Sequence, residues 1–233
     1  MNWPPLGVRQ AGMKSILILS GGLDSTVSGW IAKKETDPVL ALTFDYGQRA
    51  AGREGEAAAK IAGHLKVPHR IIRFPWLAEL TRTSLVDRGT ELPHLQEKDL
   101  NDPAKGKESA AAVWVPNRNG LFLNVAACFA ESLDATLLVT GFNAEEAATF
   151  HDNSAAFVET ADRFFHYSTQ KEVKVTSYTL NLTKVEIAKK ARELGVPFQD
   201  LWFCYEGGDA PCRVCESCLR DFRAFREAGV GQT

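Results

Sequence analysis

Seven residues, Ser20-Gly21-Gly22-Leu23-Asp24-Ser25-Thr26, join a short apolar run at 15–19 to an amphipathic pattern at 26–34. A junction of this kind belongs to the carboxyl end of a buried parallel strand, where open sheets bind ligands. The paired glycines let backbone approach an anion closely. Ser20, Ser25 and Thr26 add hydroxyl donors, and the helix start adds free N–H groups. Asp24 would repel a phosphate on its own, so its presence implies a cation between the two, with Mg2+ the natural candidate. Neither G-x-x-x-x-G-K-[ST] nor G-x-G-x-x-G occurs, which removes the usual kinase-like and dinucleotide readings.

Further apolar runs at 39–44, 69–74, 135–140 and 172–176 alternate with helical patterns at 54–65, 121–131, 153–167, 183–194 and 216–227. The expected fold is therefore α/β, an open parallel sheet with helices on both faces. The helix at 183–194 has the clearest limits: Thr183 and Glu186 form a capping-box pattern, and Gly195 then Pro197 mark its end. Residues 81–112 are polar without a period and read as a mobile loop or lid.

Length and charge narrow the class. The 233 residues fit one domain, with 200–228 as an appendage within it. Lysine and arginine number 27 against 29 acids, a net charge of −2 that gives no general drive toward nucleic acid. The apolar run at 110–115 is too short to span a bilayer. Residues 1–12 carry Pro4 and Pro5 and lack a secretory core, so a cytoplasmic protein is expected, with Met13 a candidate natural start.

Four of five cysteines fall in Cys204-x7-Cys212-x2-Cys215-x2-Cys218. Four thiolates complete a closed tetrahedral Zn2+ shell, the pattern of a structural site. The rival reading makes Cys212 and Cys215 a redox or sulfur-carrying pair. Cys128, at helical spacing with Leu121, Val125 and Phe129, is expected to be a buried thiol.

The loop resembles the S-G-G-x-D-S signature of the PP-loop ATP pyrophosphatases. With the cysteine tail, the chain resembles the 7-cyano-7-deazaguanine synthase family of that superfamily. The likeness includes Asp45-Tyr46-Gly47-Gln48-Arg49, Pro116-Asn117-Arg118-Asn119, Gly141-Phe142-Asn143-Ala144, Thr183-Lys184-x-Glu186, Trp202-x-Cys204-Tyr205 and Cys218-x-Arg220. It implies ATP bound along Leu19, Ser20, Gly21, Gly22, Leu23, Asp24, Ser25, Thr26, Val27, Ser28 and Gly29. Ser20, Asp24, Ser25 and Lys184 would serve catalysis, and Zn2+ would sit on Cys204, Cys212, Cys215 and Cys218. It further implies a deazapurine substrate and ammonia, and a homodimer. The chain departs from the family pattern at Ala50, where a histidine is usual, at Glu54, one position late, at His151, Asn153 and Ser154, and at Phe203.

Several residues keep two readings. Gln48 and Arg49 either hold substrate or cap a strand end. Asn117 and Arg118 either bind substrate or open a helix, with Arg118 suited to a carboxylate or phosphate. Asn143, Glu145, Glu146 and Asp152 form a base pocket, or the two glutamates are a solvated helix face. Lys184 binds a leaving pyrophosphate or lies on the surface. Two other functions stay open: a tRNA-modifying thiolase of the same superfamily, and a non-enzymatic ATP- and zinc-binding module.

Overall fold

The structure, a computed structural model, describes residues 12–230. Residues 1–11, nearly all of the segment read above as lacking a secretory core, lie outside the described residues, as do 231–233. Strands β1 (Lys14–Ile18), β2 (Asp37–Asp45), β3 (His69–Arg73), β4 (Leu137–Thr140) and β5 (Lys174–Ser177) pair in parallel in the order β3-β2-β1-β4-β5. This is the expected open parallel sheet.

Successive strand residues point to opposite faces, and both faces are apolar. Ile16, Leu42, Phe44 and Leu138 face α5 (Arg118–Ser132) and α7 (Ala155–Ser168). Leu17, Ala41, Leu137 and Val139 face α1 (Leu23–Glu35), α2 (Ala51–Leu65), α8 (Lys184–Leu194) and α9 (Glu216–Glu227). Three further helices, α3 (Pro75–Glu79), α4 (Pro103–Val113) and α6 (Ala144–Ala147), lie in connections.

The chain steps outward from β1 to β3 and then returns to place β4 on the other side of β1. Strand order reverses there, so the carboxyl ends of β1 and β4 open a crevice. The seven-residue loop leaves β1 at that point, and Gly141 leaves β4. Glycine at 141 is a packing requirement: a Cβ there would lie 2.5 Å from Ser25 N and 2.7 Å from Ser25 Cα. Gly21, with φ at +82°, presses on α2, where a Cβ would meet Ala57 Cβ at 2.8 Å and Ala58 N at 2.9 Å.

Thr183 caps α8 in the predicted box, its hydroxyl accepting from Glu186 N at 3.3 Å while its own N–H donates to Glu186 at 2.8 Å, and Gly195 closes the helix in the left-handed region. Two expectations are corrected. Residues 81–112 are not one long loop: a 3-10 turn, Glu97–Asn101, leads into α4, whose cap Asp102 accepts from Ala104 N at 2.9 Å. The helix escapes periodicity because the cap and a few buried residues near its end, Ser109, Ala110 and Val113, hold it. The segment is also tied down, by Ser109 Oγ donating to Glu216 Oε2 at 2.5 Å and Leu95 N donating to Val214 O at 2.9 Å. Cys128 is exposed, not buried, because with Asn124 it occupies the face of α5 opposite Leu123, Ala126, Ala127 and Ala130.

Gly141→Ala should lower stability by about 1–3 kcal/mol, the cost of overpacking. Gly106→Ala in α4, where nothing lies within 4 Å of the new Cβ, should instead add roughly 0.5–1 kcal/mol by helix propensity. Urea unfolding of both variants checks the pair, and equal midpoints would contradict the packing argument.

Candidate active site

The loop after β1 is braced from within. Ser25 Oγ lies 3.0 Å from Ser20 Oγ and accepts from Ser20 N at 3.2 Å, and Ser20 Oγ accepts from Gly22 N at 3.3 Å. Trp202 N donates to Gly21 O at 2.9 Å, joining the loop to the chain just before the cysteines. The N-cap position of α1, Gly22, supplies no side-chain acceptor, so the helix start keeps its capacity for an anion. Leu19, Ser20, Gly22, Leu23, Asp24 and Ser25 line a cavity. Gly21 backs onto α2, while Thr26, Val27, Ser28 and Gly29 lie behind the cavity wall: Thr26 and Val27 are fully buried, and Ser28 Oγ accepts from Tyr178 N at 3.0 Å.

Lys184 is not on the surface. Its ammonium contacts Asp24 Oδ2 and lies 3.4 Å from Glu146 Oε1 and 3.9 Å from Asp221 Oδ2. Burial, opposed by Lys184 and reinforced by Glu146 and Asp221, pushes Asp24 up to about 7. Burial likewise raises Asp221 to about 6 against the pull of Lys184. Lys184 itself is held well above its ordinary value: burial alone would lower it, and Asp221, Asp24 and Glu146 outweigh that. Glu145 is not a solvated face residue either, since it accepts from Lys184 N at 2.9 Å and pairs with Arg220 and Arg223, each at 3.1 Å.

A second polar group lines the same cavity at the end of β2. Arg118 Nη1 donates to Tyr46 Oη at 3.1 Å, and Asp152, raised by burial against the pull of Arg118, stands nearby. Gln48 lines the cavity but is fully engaged: Oε1 accepts from Tyr46 N at 2.9 Å, and Nε2 donates to Phe44 O at 3.0 Å and Glu54 Oε2 at 2.7 Å. Its amide orients Glu54, whose carboxyl burial pushes up. Phe44, Phe122, Trp114 and Phe150 supply aromatic walls.

Three predicted substrate residues lie outside the lining. Arg49 straps segments together, pairing with Glu206 at 3.1 Å and donating to Asp87 O at 2.9 Å and to Thr90 O. Asn117 is exposed in the left-handed region at the start of α5. Asn143, fully buried, caps α6 by accepting from Glu146 N at 2.9 Å, and its Nδ2 has no partner. Among the family departures, Ala50, Asn153 and Phe203 line the cavity, and Phe203 packs edge-on against Phe222 at 5.3 Å. Ser154 caps α7, accepting from Phe157 N at 3.2 Å.

Cys204, Cys212, Cys215 and Cys218 bring their sulfur atoms within 4.8 Å of one another. Cys212 Sγ and Cys218 Sγ are 3.9 Å apart, too far for a disulfide and close to the roughly 3.8 Å edge of a tetrahedron built on Zn–S bonds of about 2.3 Å. Backbone N–H groups of Cys212 and Cys215 donate to Cys204 Sγ and Cys212 Sγ, each at 3.3 Å. Cys215 occupies the N-cap position of α9 and Cys218 lies in its first turn, so the knuckle and the last helix are one piece.

The residue that sequence reasoning missed is Asp221, 1% exposed on α9. The signal was present: Cys218, Asp221, Ala224 and Phe225 recur at helical spacing, and an aspartate on that apolar face needs a partner. Tyr205, Glu216, Ser217 and Arg220 also line the cavity.

The family described as "Queuosine biosynthesis protein QueC" matches residues 14–229. A "7-cyano-7-deazaguanine synthase" from Pelotomaculum thermopropionicum is 52% identical over 218 residues, covering 94% of this chain and 99% of its relative. A protein of the same name from Methanosarcina barkeri is 48% identical over 221 residues, covering 94% and 96%. Among solved structures, a 4-thiouridine synthetase–RNA complex with bound ATP aligns over 95% of this chain and 52% of that one, at 20% identity and a TM-score of 0.49, too distant to bear on chemistry.

Metal analysis should find one zinc per chain, and Cys212→Ser should give poorly folded, zinc-free protein. Structural zinc carries roughly 10–16 kcal/mol of apparent binding energy, comparable to a domain's whole stability. A stable, selectively inactive Cys212→Ser protein would favour a sulfur-carrying pair.

Proposed function

The chain belongs to the QueC family of queuosine biosynthesis proteins, and from that premise we propose that it converts 7-carboxy-7-deazaguanine and ammonia to 7-cyano-7-deazaguanine. Two ATP are consumed, each releasing AMP and pyrophosphate. The observation that carries this reading is the uncapped, hydroxyl-braced loop Ser20–Ser25 opening into a cavity that also holds Lys184 at one side and Arg118 at another.

A carboxylate and ammonia form only a salt at neutral pH, because oxide is a poor leaving group. Attack of a carboxylate oxygen on the α-phosphorus of ATP breaks the bond to pyrophosphate and makes that oxygen part of a good leaving group. Ammonia adds to the carbon and AMP departs, giving a primary amide. Adenylation of the amide oxygen by the second ATP, loss of AMP and loss of two protons leave the nitrile, so both original oxygens depart on AMP. One cavity can serve both rounds if it keeps the heterocycle fixed, and positioning then contributes much of the rate.

Loop N–H groups and the hydroxyls of Ser20 and Ser25 would hold the departing pyrophosphate, with Lys184 supplying positive charge beside them. Mg2+ would supply further charge neutralisation there. Asp24 fits it as a ligand, since its Oδ1 is buried without a hydrogen-bond partner. Arg118 and the aromatic walls would orient the deazapurine, with Glu54 and Asp152 as acceptors for its N–H groups. The four-cysteine cluster fits Zn2+ as a fixed element of the fold. Its four-fold closure argues against a free sulfur-carrying pair, and so against the thiolase alternative.

Incubation with ATP, ammonium and 7-carboxy-7-deazaguanine should give nitrile with two AMP per product, read by mass spectrometry and chromatography. ADP as the main nucleotide product would overturn the reading. Synthetic amide with ATP and no ammonia should still give nitrile, and Asp24→Asn should keep the fold while losing most turnover.

A further inference from the structure

The charge around Lys184 does not balance. Three carboxylates, from Asp24 on α1, Glu146 on α6 and Asp221 on α9, share one ammonium from α8. The neighbouring guanidinium groups cannot make up the deficit: Arg220 pairs with Glu216 at 2.7 Å and Glu145 at 3.1 Å, and Arg223 pairs with Glu145 at 3.1 Å. Independently of that count, Asp24 Oδ1 and Asp221 Oδ1 are both buried with no hydrogen-bond partner. Asp221 is 1% exposed, and both aspartates border the cavity beside Ser20 and Ser25. A pair of buried carboxylate oxygens without hydrogen-bond partners, on residues that line the same cavity as Ser20 and Ser25 and with no thiol or imidazole in the set, has the hard-donor chemistry of Mg2+ or Mn2+.

We propose that Asp221 joins Asp24 in holding a divalent cation at the ATP site, and that Lys184 keeps this place in the ligand-free protein and yields it when the ion enters. Asp221 lies three residues beyond the zinc ligand Cys218 on the same helix, so the knuckle delivers a ligand to the nucleotide end of the cavity. The inference rests on the ATP reading above and adds to it a second carboxylate and an exchange between ammonium and metal ion.

Mn2+ is the probe, followed by electron paramagnetic resonance on the full, zinc-loaded chain, with and without the uncleavable analogue α,β-methylene-ATP. With analogue, the wild type should bind one Mn2+ per chain, and Asp221→Asn should weaken that binding at least tenfold, as Asp24→Asn does. Without nucleotide, Lys184→Met should bind Mn2+ at least tenfold more tightly than the wild type, because the ion no longer competes with the ammonium. Lys184→Met/Asp221→Asn should lose that gain. Mn2+ affinity unchanged by Asp221→Asn overturns the proposal, as does a Lys184→Met protein that binds no more tightly than wild type. Should Asp221→Asn lose its zinc and unfold, the Lys184→Met comparison decides alone. Calorimetry of the analogue separates the two levels: wild type that binds analogue as tightly without Mn2+ as with it refutes the cation site only, whereas failure to bind analogue at all refutes the ATP reading with it.

Discussion

A buried ammonium surrounded by three carboxylates organises this protein. An ion taken from water costs several kcal/mol unless it is paired, so the segments that carry the partners are constrained to close around it. Lys184 is fixed first, as the opening residue of α8 behind the Thr183–Glu186 box. Its partners come from the loop after β1, the turn after β4 and the helix beyond the cysteines. Four stretches far apart in sequence therefore meet at one point, and that point is the crevice where strand order reverses. The arrangement is not tuned for stability alone. Asp24 and Asp221 are raised to about 7 and about 6 because burial disfavours their charge and the acids repel one another. Acids perturbed in this way at a cavity wall are characteristic of functional sites.

The cysteine cluster has a larger part in this than an anchor for the chain end. Cavity-lining residues stand beside its cysteines: Tyr205 follows Cys204, Glu216 and Ser217 follow Cys215, and Arg220 lies two past Cys218. Fixing the sulfur atoms fixes the backbone from which these side chains reach inward. The same segment holds residues 81–112 in place, through Glu216 to Ser109, Val214 to Leu95 and, by way of Arg49, Glu206 to the Asp87 and Thr90 carbonyls. Arg49, read from sequence as a substrate ligand, is thus the rivet between strand end, strap and knuckle.

What could be read from the sequence was whatever local chemistry fixes by itself. The box at Thr183 and the stop at Gly195 bound α8 as expected, and Glu216–Glu227 is a helix over the expected span. The loop Ser20–Thr26 needed only its glycines, hydroxyls and position after a strand. What could not be read depends on pairing across distance. Gln48 has the donors and acceptors of a substrate ligand, and only the fold reveals that Phe44, Tyr46 and Glu54 already engage both ends of its amide. Cys128 sits in an apolar stretch, yet α5 is covered on one side only, and the register of that cover decides its exposure. Lys184 could be read as a phosphate ligand or as a surface charge, and the helical spacing around Asp221 asked for a partner without naming it; only the fold places the two opposite one another.

The departures at Ala50 and Glu54 acquire a joint meaning from the same geometry. Ala50, 2% exposed at the start of α2, puts only a methyl group on the cavity wall where a larger side chain is usual in the family. Glu54, one turn later, is carried to that wall and held there by Gln48. The polar group facing the cavity at this end is then a carboxylate, with Arg118 and Tyr46 beside it and Phe122 stacked on Phe44 at 4.2 Å beneath. An acceptor, a cation and a flat apolar wall are what a planar heterocycle with N–H donors and an anionic substituent requires. The opposite end of the cavity, rich in acids around one lysine, suits phosphates only once a cation has joined them. The two ends thus differ in what they demand of a ligand, and the proposed reaction, which joins a heterocyclic acid to a nucleotide, would use both.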